Sequence, residues 1–374
     1  MESLNLRLIH ALQIDGRAPL RRIASVLGVS EQVVARRYAA LCESAGLRVI
    51  GRLNPRPVGQ TVWALRLQSA PGASLGLARA LAAREDTRWV QLASGATEII
   101  CHLVAHRDRA QDAPVQLLDR LPGVTSITAQ RVLRLFKGGP TTWGALTCAL
   151  DQDQRDALAP AFPPPAFPPP RLPPSDARLS SPSPSLEPTG LTGLTELTEL
   201  TELTELTELT ELTELTELTD LDHTLLAALA RDGRTTYAAL AAEARCHEST
   251  VRRRIAHLRA AGALFFVVDV DERLLGSPTT TAIWMSVRPS HLAAVGAALA
   301  DHPEVAYAAA TTGRTNLLAA VLCPDDEYLY DYLTARLGAL PGIDTVETAP
   351  IVRTLKRVGT VGRHRNRPAG TRRG

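Results

Sequence analysis

Two stretches of this chain are one text written twice. Leu221 to Gly262 reads LDHTLLAALARDGRTTYAALAAEARCHESTVRRRIAHLRAAG, and Leu4 to Gly46 reads LNLRLIHALQIDGRAPLRRIASVLGVSEQVVARRYAALCESAG. An offset of 217 aligns Leu4 with Leu221, Asp15-Gly16-Arg17 with Asp232-Gly233-Arg234, Ala24 with Ala241, Arg36-Arg37 with Arg253-Arg254, and Leu41 with Leu258. A unit repeated at that distance constrains the fold more than any single residue, because whatever one copy forms the other must form too.

Each copy opens as three short helices. Leu4, Leu8, Ile9 and Leu12 share one helical face, as do Leu221, Leu225, Leu226 and Leu229. Asp15-Gly16 is a turn signal, and Gly28 can supply a positive φ before Ser30 caps a third helix. Two short helices joined by a glycine turn, the second rich in arginine, describe a helix-turn-helix. The alternative is a three-helix core without a DNA role. After each copy the pattern runs strand, helix, strand, strand, helix, strand. In the first these are Val62–Gln68, Ser74–Ala83, Val90–Ser94, Ile99–Ala105, about Ala110–Leu121 and Val124–Leu133. In the second they are Thr280–Arg288, Leu292–Ala300, Val305–Thr312, Leu317–Leu322, Asp325–Leu340 and Thr345–Val358. This is the ferredoxin-like βαββαβ order, so the class is α+β.

The segment between the copies has no core-forming pattern. Twelve prolines lie between Pro160 and Pro188, an extended polyproline composition. Leucine then recurs at every third position eleven times from residue 191 to 221. Three residues turn a helix by about 300°, so each leucine falls about 60° behind the last and no zipper stripe forms. The expected domains are helix-turn-helix units at 1–59 and 221–276, βαββαβ units at 60–137 and 277–358, a low-complexity linker at 138–220, and a basic disordered tail at 359–374.

Charge is unevenly placed. The net value of +2 hides eight Glu and two Asp without a base at 196–222, and eight Lys/Arg without an acid at 351–374. Cys42, Cys101, Cys148, Cys246 and Cys323 form no CxxC pair, which excludes the usual zinc spacings and fits a reduced cytoplasm. The N-terminus lacks a signal pattern and no apolar run reaches about 18 residues, so neither secretion nor membrane spanning is expected. No metal or other cofactor is expected.

A helix-turn-helix with Val34-x-Arg36-Arg37-x-x-x-Leu41 (Val251, Arg253, Arg254 and Leu258 in the second copy), an Asn54-Pro55-Arg56-Pro57-Val58-Gly59 turn, and a βαββαβ unit with a glycine turn between its middle strands resemble the Lrp/AsnC transcriptional regulators. The resemblance spans about 4–137 and 221–358. It implies transcription control responsive to an amino acid or similar small effector, with the βαββαβ units pairing and building the effector site between them. The glycine turns at Gly95-Ala96-Thr97-Glu98 and Gly313-Arg314-Thr315-Asn316 then supply the candidate effector residues Gly95, Glu98, Gly313, Arg314 and Asn316. Family members often close this turn with Asp; here it is Glu98 and Asn316, which puts a standard amino-acid effector in question. Two further departures stand out. The third helix of the first copy holds an extra residue before Gly46. Arg245 replaces Gly28, and because an arginine in a left-handed turn costs about 1 kcal/mol or more, that turn is expected to be reshaped.

The second helix of such a motif enters the major groove of double-stranded DNA with its N-terminal side chains. Those are Ser30, Glu31 and Gln32 in one copy and His247, Glu248, Ser249, Thr250 and Arg252 in the other. They differ at most positions, so the two copies are expected to read different half-sites. Arg36, Arg37, Arg253 and Arg254 come later and are expected to include phosphate contacts, or to pair within their own domain. Neutralising Arg252 and Arg254 is expected to weaken binding and flatten its salt dependence. Apolar residues on both faces of strands such as Thr281–Met285 call for a partner sheet, within the chain or between chains. An enzyme is the first rival: haem-pathway decarboxylases share this plan but need a cluster of His and Arg in a cleft. His102 and His106 share a strand face, but the second copy lacks both. An effector sensor that has lost DNA binding is the second rival.

Overall fold

The computed structural model describes residues 3–70, 72–106, 114, 123–139, 149–160, 218–270 and 279–357. The expected helix at about 110–121, the leucine repeat and the basic tail lie outside or almost wholly outside the described residues.

The first copy contributes α1 (Ser3–Ile14), α2 (Leu20–Leu27), α3 (Glu31–Ser44), β1 (Arg48–Leu53), β2 (Gln60–Ser69), α4 (Ser74–Ala83), β3 (Thr87–Ala93), β4 (Glu98–His106), β5 (Val124–Lys137) and α5 (Gln152–Leu158). Leu8, Ile9, Leu12, Ile23, Leu27, Val34 and Leu41 close the core of its three-helix head. Gly28 ends α2 with φ 69° and ψ 32°, and the Ser30 hydroxyl accepts from the Val33 N–H to start α3.

The second copy contributes α6 (Asp220–Arg231), α7 (Tyr237–Ala244), α8 (Glu248–Ala260), β6 (Leu264–Asp269), β7 (Thr279–Val287), α9 (Leu292–Asp301), β8 (Val305–Thr311), β9 (Leu317–Cys323), α10 (Asp326–Asp331) and β10 (Ile343–Lys356). The helix read at 325–340 instead changes to π geometry over Tyr332–Leu337. α3 is 14 residues and α8 is 13, which places the extra residue of the first copy inside the helix.

The turn expected to be reshaped is not. Arg245 holds φ 51° and ψ 44°, the same left-handed cap as Gly28, and Cys246 N–H still closes onto Ala241 O at 3.0 Å. The packing of Leu240, Val251 and Ile255 beneath the turn outweighs a local cost of about 1 kcal/mol. Arg245→Gly is therefore expected to raise the stability of the second head by up to about 1 kcal/mol; an unchanged or lower denaturant midpoint contradicts that strain.

The two βαββαβ units pair within the chain. Their eight strands close into one barrel in the order β10-β3-β4-β2-β5-β8-β9-β7. The last strand of each unit crosses to the other: Val132 pairs with Thr311 and Lys137 with Ala308, while Ile351 pairs with Ala93 and Lys356 with Val90. Both crossing strands are 14 residues long. The reading of β5 as ending at Leu133 falls short because its last residues are the ones that make this crossing. Alternation along β2 explains the layers. Leu65 and Leu67 face α4, whereas Ala64 joins Ala93, Ile100, Ala282, Trp284, Leu318 and Ala349 in the core between sheets. Mostly small residues there let two sheets approach around one tryptophan.

The heads are joined as firmly as the sheets. β1 and β6 form a two-stranded antiparallel ribbon, Arg48 opposite Asp269 and Leu53 opposite Leu264. The repeated Asp-Gly-Arg forms a reciprocal clasp. Arg17 donates to Gly233 O (2.7 Å) and Thr235 O (3.0 Å), and Arg234 donates to Gly16 O (2.7 Å) and Ala18 O (3.0 Å). Asp15 and Asp232 accept from the backbone N–H of these arginines at 3.1 and 2.8 Å, which shapes both turns.

One segment assigned to the linker is folded. Asp151 and Gln154 form a capping box, and α5 then buries Leu150 and Leu158 against the first head. Arg22 donates to Ala157 O and Ala159 O at 3.0 and 3.1 Å, satisfying carbonyls at the helix end. The linker thus begins later than composition indicates.

Candidate nucleic-acid interface and ligand pockets

The N-terminal side chains of both third helices face outward. Ser30, Glu31, Gln32 and Arg36 are exposed on the first head, and His247, Glu248, Ser249, Arg252 and Arg253 on the second. Thr250 and Arg37 are half-buried. Ser30 spends its hydroxyl on the cap, whereas His247 stands at the cap position without a side-chain cap bond, leaving its ring for other partners. Glu248, Ser249, Arg252 and Arg253 line one shallow groove on the face of α8.

The arginine triplet divides into three roles. Arg252 pairs with Glu248 one turn back at 2.6 Å and lies over the Tyr237 ring at 4.3 Å. Arg253 points to solvent. Arg254 grips Asp222 with Nε–Oδ1 at 2.5 Å and Nη2–Oδ2 at 2.6 Å. Asp222 is fully buried, and its own backbone N–H meets the Thr219 hydroxyl in a capping box. Burial raises the carboxyl of Asp222, but hydrogen bonds from Arg254 and Thr219 outweigh it and hold it below the ordinary range. Of the two alternatives for the later arginines, Arg254 takes the pairing within its own domain: it fastens α8 to α6. In the first head Asn5 stands where the second has Asp222, and it has no charge to offer Arg37.

The glycine turns take left-handed backbone, with Gly95 at φ 67° and Gly313 at φ 101°. Their polar groups are engaged by the protein itself. Glu98, buried, accepts from Arg66 at 2.5 Å and from the Ser94 hydroxyl at 3.0 Å. Arg66 also reaches Glu347 of the other unit at 2.6 Å and lies over Trp284 at 4.6 Å. At the matching turn Gln130 of the first unit donates to Thr315 O at 2.7 Å, and its amide lies where a Cβ on Gly313 would fall. Asn316 accepts from Val287 N–H and donates to Val287 O, at 2.9 and 2.8 Å. Arg314 is exposed. Both turns are thus wired into the pairing of the two units.

A separate cavity of about 560 Å³ lies between the barrel and the β1–β6 ribbon. Arg88, Arg131 and Arg134 line it together with His102 and Tyr307, whose rings are 5.2 Å apart. Burial first, and Arg88 second, push the His102 imidazole down to about 4, so it is neutral at ordinary pH. Burial raises the Tyr307 hydroxyl. His106 is exposed and is not part of the wall. Sequence reasoning singled out His102 but missed these arginines, which come from strands far apart in the chain.

The AsnC-type helix-turn-helix domain matches residues 1–41 and again 218–259, and the Lrp/AsnC ligand binding domain matches residues 280–361. Among curated proteins, HTH-type transcriptional regulator FL11 of Pyrococcus horikoshii is 26% identical over 137 residues, 36% of this chain and 90% of the relative. LrpA of the same organism is 26% identical over 136 residues, 36% of this chain and 96% of the relative. Each relative thus corresponds in length to one copy. Among solved structures, the siroheme decarboxylase NirDL superposes with a TM-score of 0.57 at 12% identity, over 94% of this chain and 93% of that one. That likeness shows a shared fold across both copies. Among the described residues no helix is long and apolar enough to cross a membrane. The AsnC-type helix-turn-helix thus occurs in both heads and the Lrp/AsnC ligand binding domain in the second βαββαβ unit, so the chain carries Lrp/AsnC-type domains, with the helix-turn-helix in tandem.

Proposed function

We propose that this protein is a sequence-specific DNA-binding transcriptional regulator that reads an asymmetric operator with two unlike heads held in one chain, under the influence of a small effector. The observation that carries this reading is the contrast between scaffold and surface. The Asp-Gly-Arg clasp and the buried positions repeat at a fixed offset, while among the outward residues Ser30 and Gln32 have His247 and Ser249 as counterparts, and Glu31 and Arg36 match Glu248 and Arg253. Gln can bridge adenine N6/N7, Glu can accept from cytosine N4, and Arg can bridge guanine O6/N7. Relatives named as HTH-type transcriptional regulators support the same conclusion. An amino-acid effector at the glycine turns would have to displace Arg66 from Glu98, or Gln130 from Thr315.

Arg36 and Arg253 are the cations best placed for phosphates, since each is exposed on its third helix. Replacing either with Gln is expected to weaken binding and to lower the slope of log affinity against log salt by about 0.9. Fluorescence anisotropy of labelled operator DNA across a salt series measures this, and an unchanged slope removes the residue from the interface. The same substitution at Arg254 is expected to act through stability instead.

One observation favours a second reading, a decarboxylase of the plan seen in NirDL: His102 and several arginines do share a cleft. Incubation with siroheme followed by mass spectrometry of the pigment separates the two. Loss of carboxyl groups establishes the enzyme, and unchanged pigment leaves the regulator.

A further inference from the structure

The third helix of the second head is tied to the first head through one aromatic ring. Tyr237, half-buried at the start of α7, carries a guanidinium from each head. Arg17 of the first head lies 4.8 Å from the ring centroid, and Arg252 of α8 lies 4.3 Å from it. The same Arg17 fixes the chain that leads into α7, because it donates to Gly233 O and Thr235 O, just before the Thr236 cap. A second link lies further along α8. Arg259 meets Asp15 of the first head at 3.6 Å, and Arg259 and Arg17 both lie 5.6 Å from the Phe266 ring. Arg252 and Arg259 are about two helical turns apart, so one face of α8 carries both links.

These contacts hold a residue that faces outward. The Arg252 side chain is 61% exposed and borders the shallow groove of α8 with Ser249 and Arg253. Glu248 Oε1 takes its Nη2 at 2.6 Å, and the Tyr237 ring supports it from the other helix. An arginine stacked on a ring keeps the remaining donors along its edge for an acceptor. Fixing a loose arginine at an interface costs rotamer entropy, and a side chain already held loses less on binding. Its fork matches O6 and N7 of guanine, the commonest specific contact in the major groove. The first head has neither member of the stack. At the offset of 217, Leu20 stands where Tyr237 does and Ala35 where Arg252 does. The support therefore runs from the first head to the second.

We propose that Tyr237 is a positioning residue that holds Arg252 to read a guanine in the half-site of the second head, with Arg17 of the first head holding the ring in turn. This rests on the reading of the chain as a DNA-binding regulator. It adds the base that is read, and it makes the base choice of one head depend on a residue of the other.

Selection of binding sites from a random duplex library by the full chain and its variants tests this. The parent is expected to enrich a G·C pair at one position of one half-site. Arg252→Ala and Arg252→Lys are each expected to lower that preference about 5- to 150-fold, the worth of one bidentate pair, and to leave the other half-site unchanged. Lysine keeps the charge but not the fork, so a phosphate role for Arg252 would survive Arg252→Lys. Tyr237→Leu, which brings in the residue of the first copy, is expected to lower the same preference about two- to fivefold. Tyr237→Phe keeps the ring and is expected to retain it. Arg17→Ala is expected to lower it at the same position, and if that chain does not fold the two Tyr237 variants decide. Two enriched half-sites whose base preferences are untouched by Arg252→Lys, Tyr237→Leu or Arg17→Ala, or are lowered equally by Tyr237→Phe and Tyr237→Leu, overturn the proposal and leave the regulator standing. A parent chain that enriches no sequence overturns both.

Discussion

Asp222→Ala is expected to destabilise the second head by about 3–5 kcal/mol, the range found when one partner of a buried ion pair is removed. Two supports fail together. The bidentate grip of Arg254 is lost, at 2.5 and 2.6 Å, and so is the acidic half of the Thr219 capping box. The guanidinium left behind is largely covered and has no other carboxylate within reach among the described residues. Chemical denaturation followed by circular dichroism measures the cost. A loss below about 1 kcal/mol, the value of an exposed pair, contradicts the structural role assigned here. The pH dependence has a defined sign. The Asp222 carboxyl is held below its ordinary value, so its contribution is complete above that value and fades as pH falls through the folded one.

The second large effect is an acid sensitivity at higher pH, from His10. This histidine is 3% exposed, and its Nδ1 accepts from the Leu150 N–H at 3.3 Å, so the proton of the neutral ring is on Nε2. Burial, then the charge of Arg155, pushes it down to about 4 from the ordinary 6.5. Between those values the unfolded chain binds more protons, so stability is complete above pH 6.5 and declines as pH falls toward 4. At about 1.4 kcal/mol per unit the loss approaches roughly 3 kcal/mol. That is an upper limit, because the Leu150 N–H that meets the ring directly precedes the short α5, and the ring can be hydrated if that segment lifts. His10→Asn is expected to flatten the decline between pH 6.5 and 4.5 relative to the parent, and an identical profile in both proteins contradicts it.

Much of the fold can be read from the sequence because the copies check each other. Leu4, Leu8 and Leu12 against Leu221, Leu225 and Leu229 phase the first helices, and the βαββαβ order follows from period-two and period-3.6 patterns that recur in register. The pairing of the two sheets was legible as a need, since Thr281–Met285 is apolar on both faces, but not as a geometry. Three features stayed hidden for separate reasons. α5 carries a readable Asp-x-x-Gln cap at Asp151, but it adjoins a proline-rich composition that obscures it. Asp-Gly-Arg is visible as a repeat, but its clasp joins residues more than 200 positions apart. The arginines of the cavity belong to β3 and β5 and meet only when the barrel closes.

The site was legible in part. The outward residues of both third helices are where the helical phase puts them. Of the two roles open to the later arginines, Arg254 takes pairing within its own domain, since it lies three residues after Val251 and four before Leu258, on the core-facing side, whereas Arg253 does not. Glu98 and Asn316 do sit at the glycine turns, but a single sequence cannot reveal that Arg66 and Val287 already occupy them.

The proposed regulator places two unlike reading heads on one operator. Footprinting of the full chain on the DNA upstream of its own gene, with and without amino acids, tests it most directly. Two adjacent protected half-sites of different sequence are expected, with Arg253→Gln weakening protection of one more than the other. The same sequence protected under both heads, or no protection at any concentration that saturates other helix-turn-helix regulators, would contradict it.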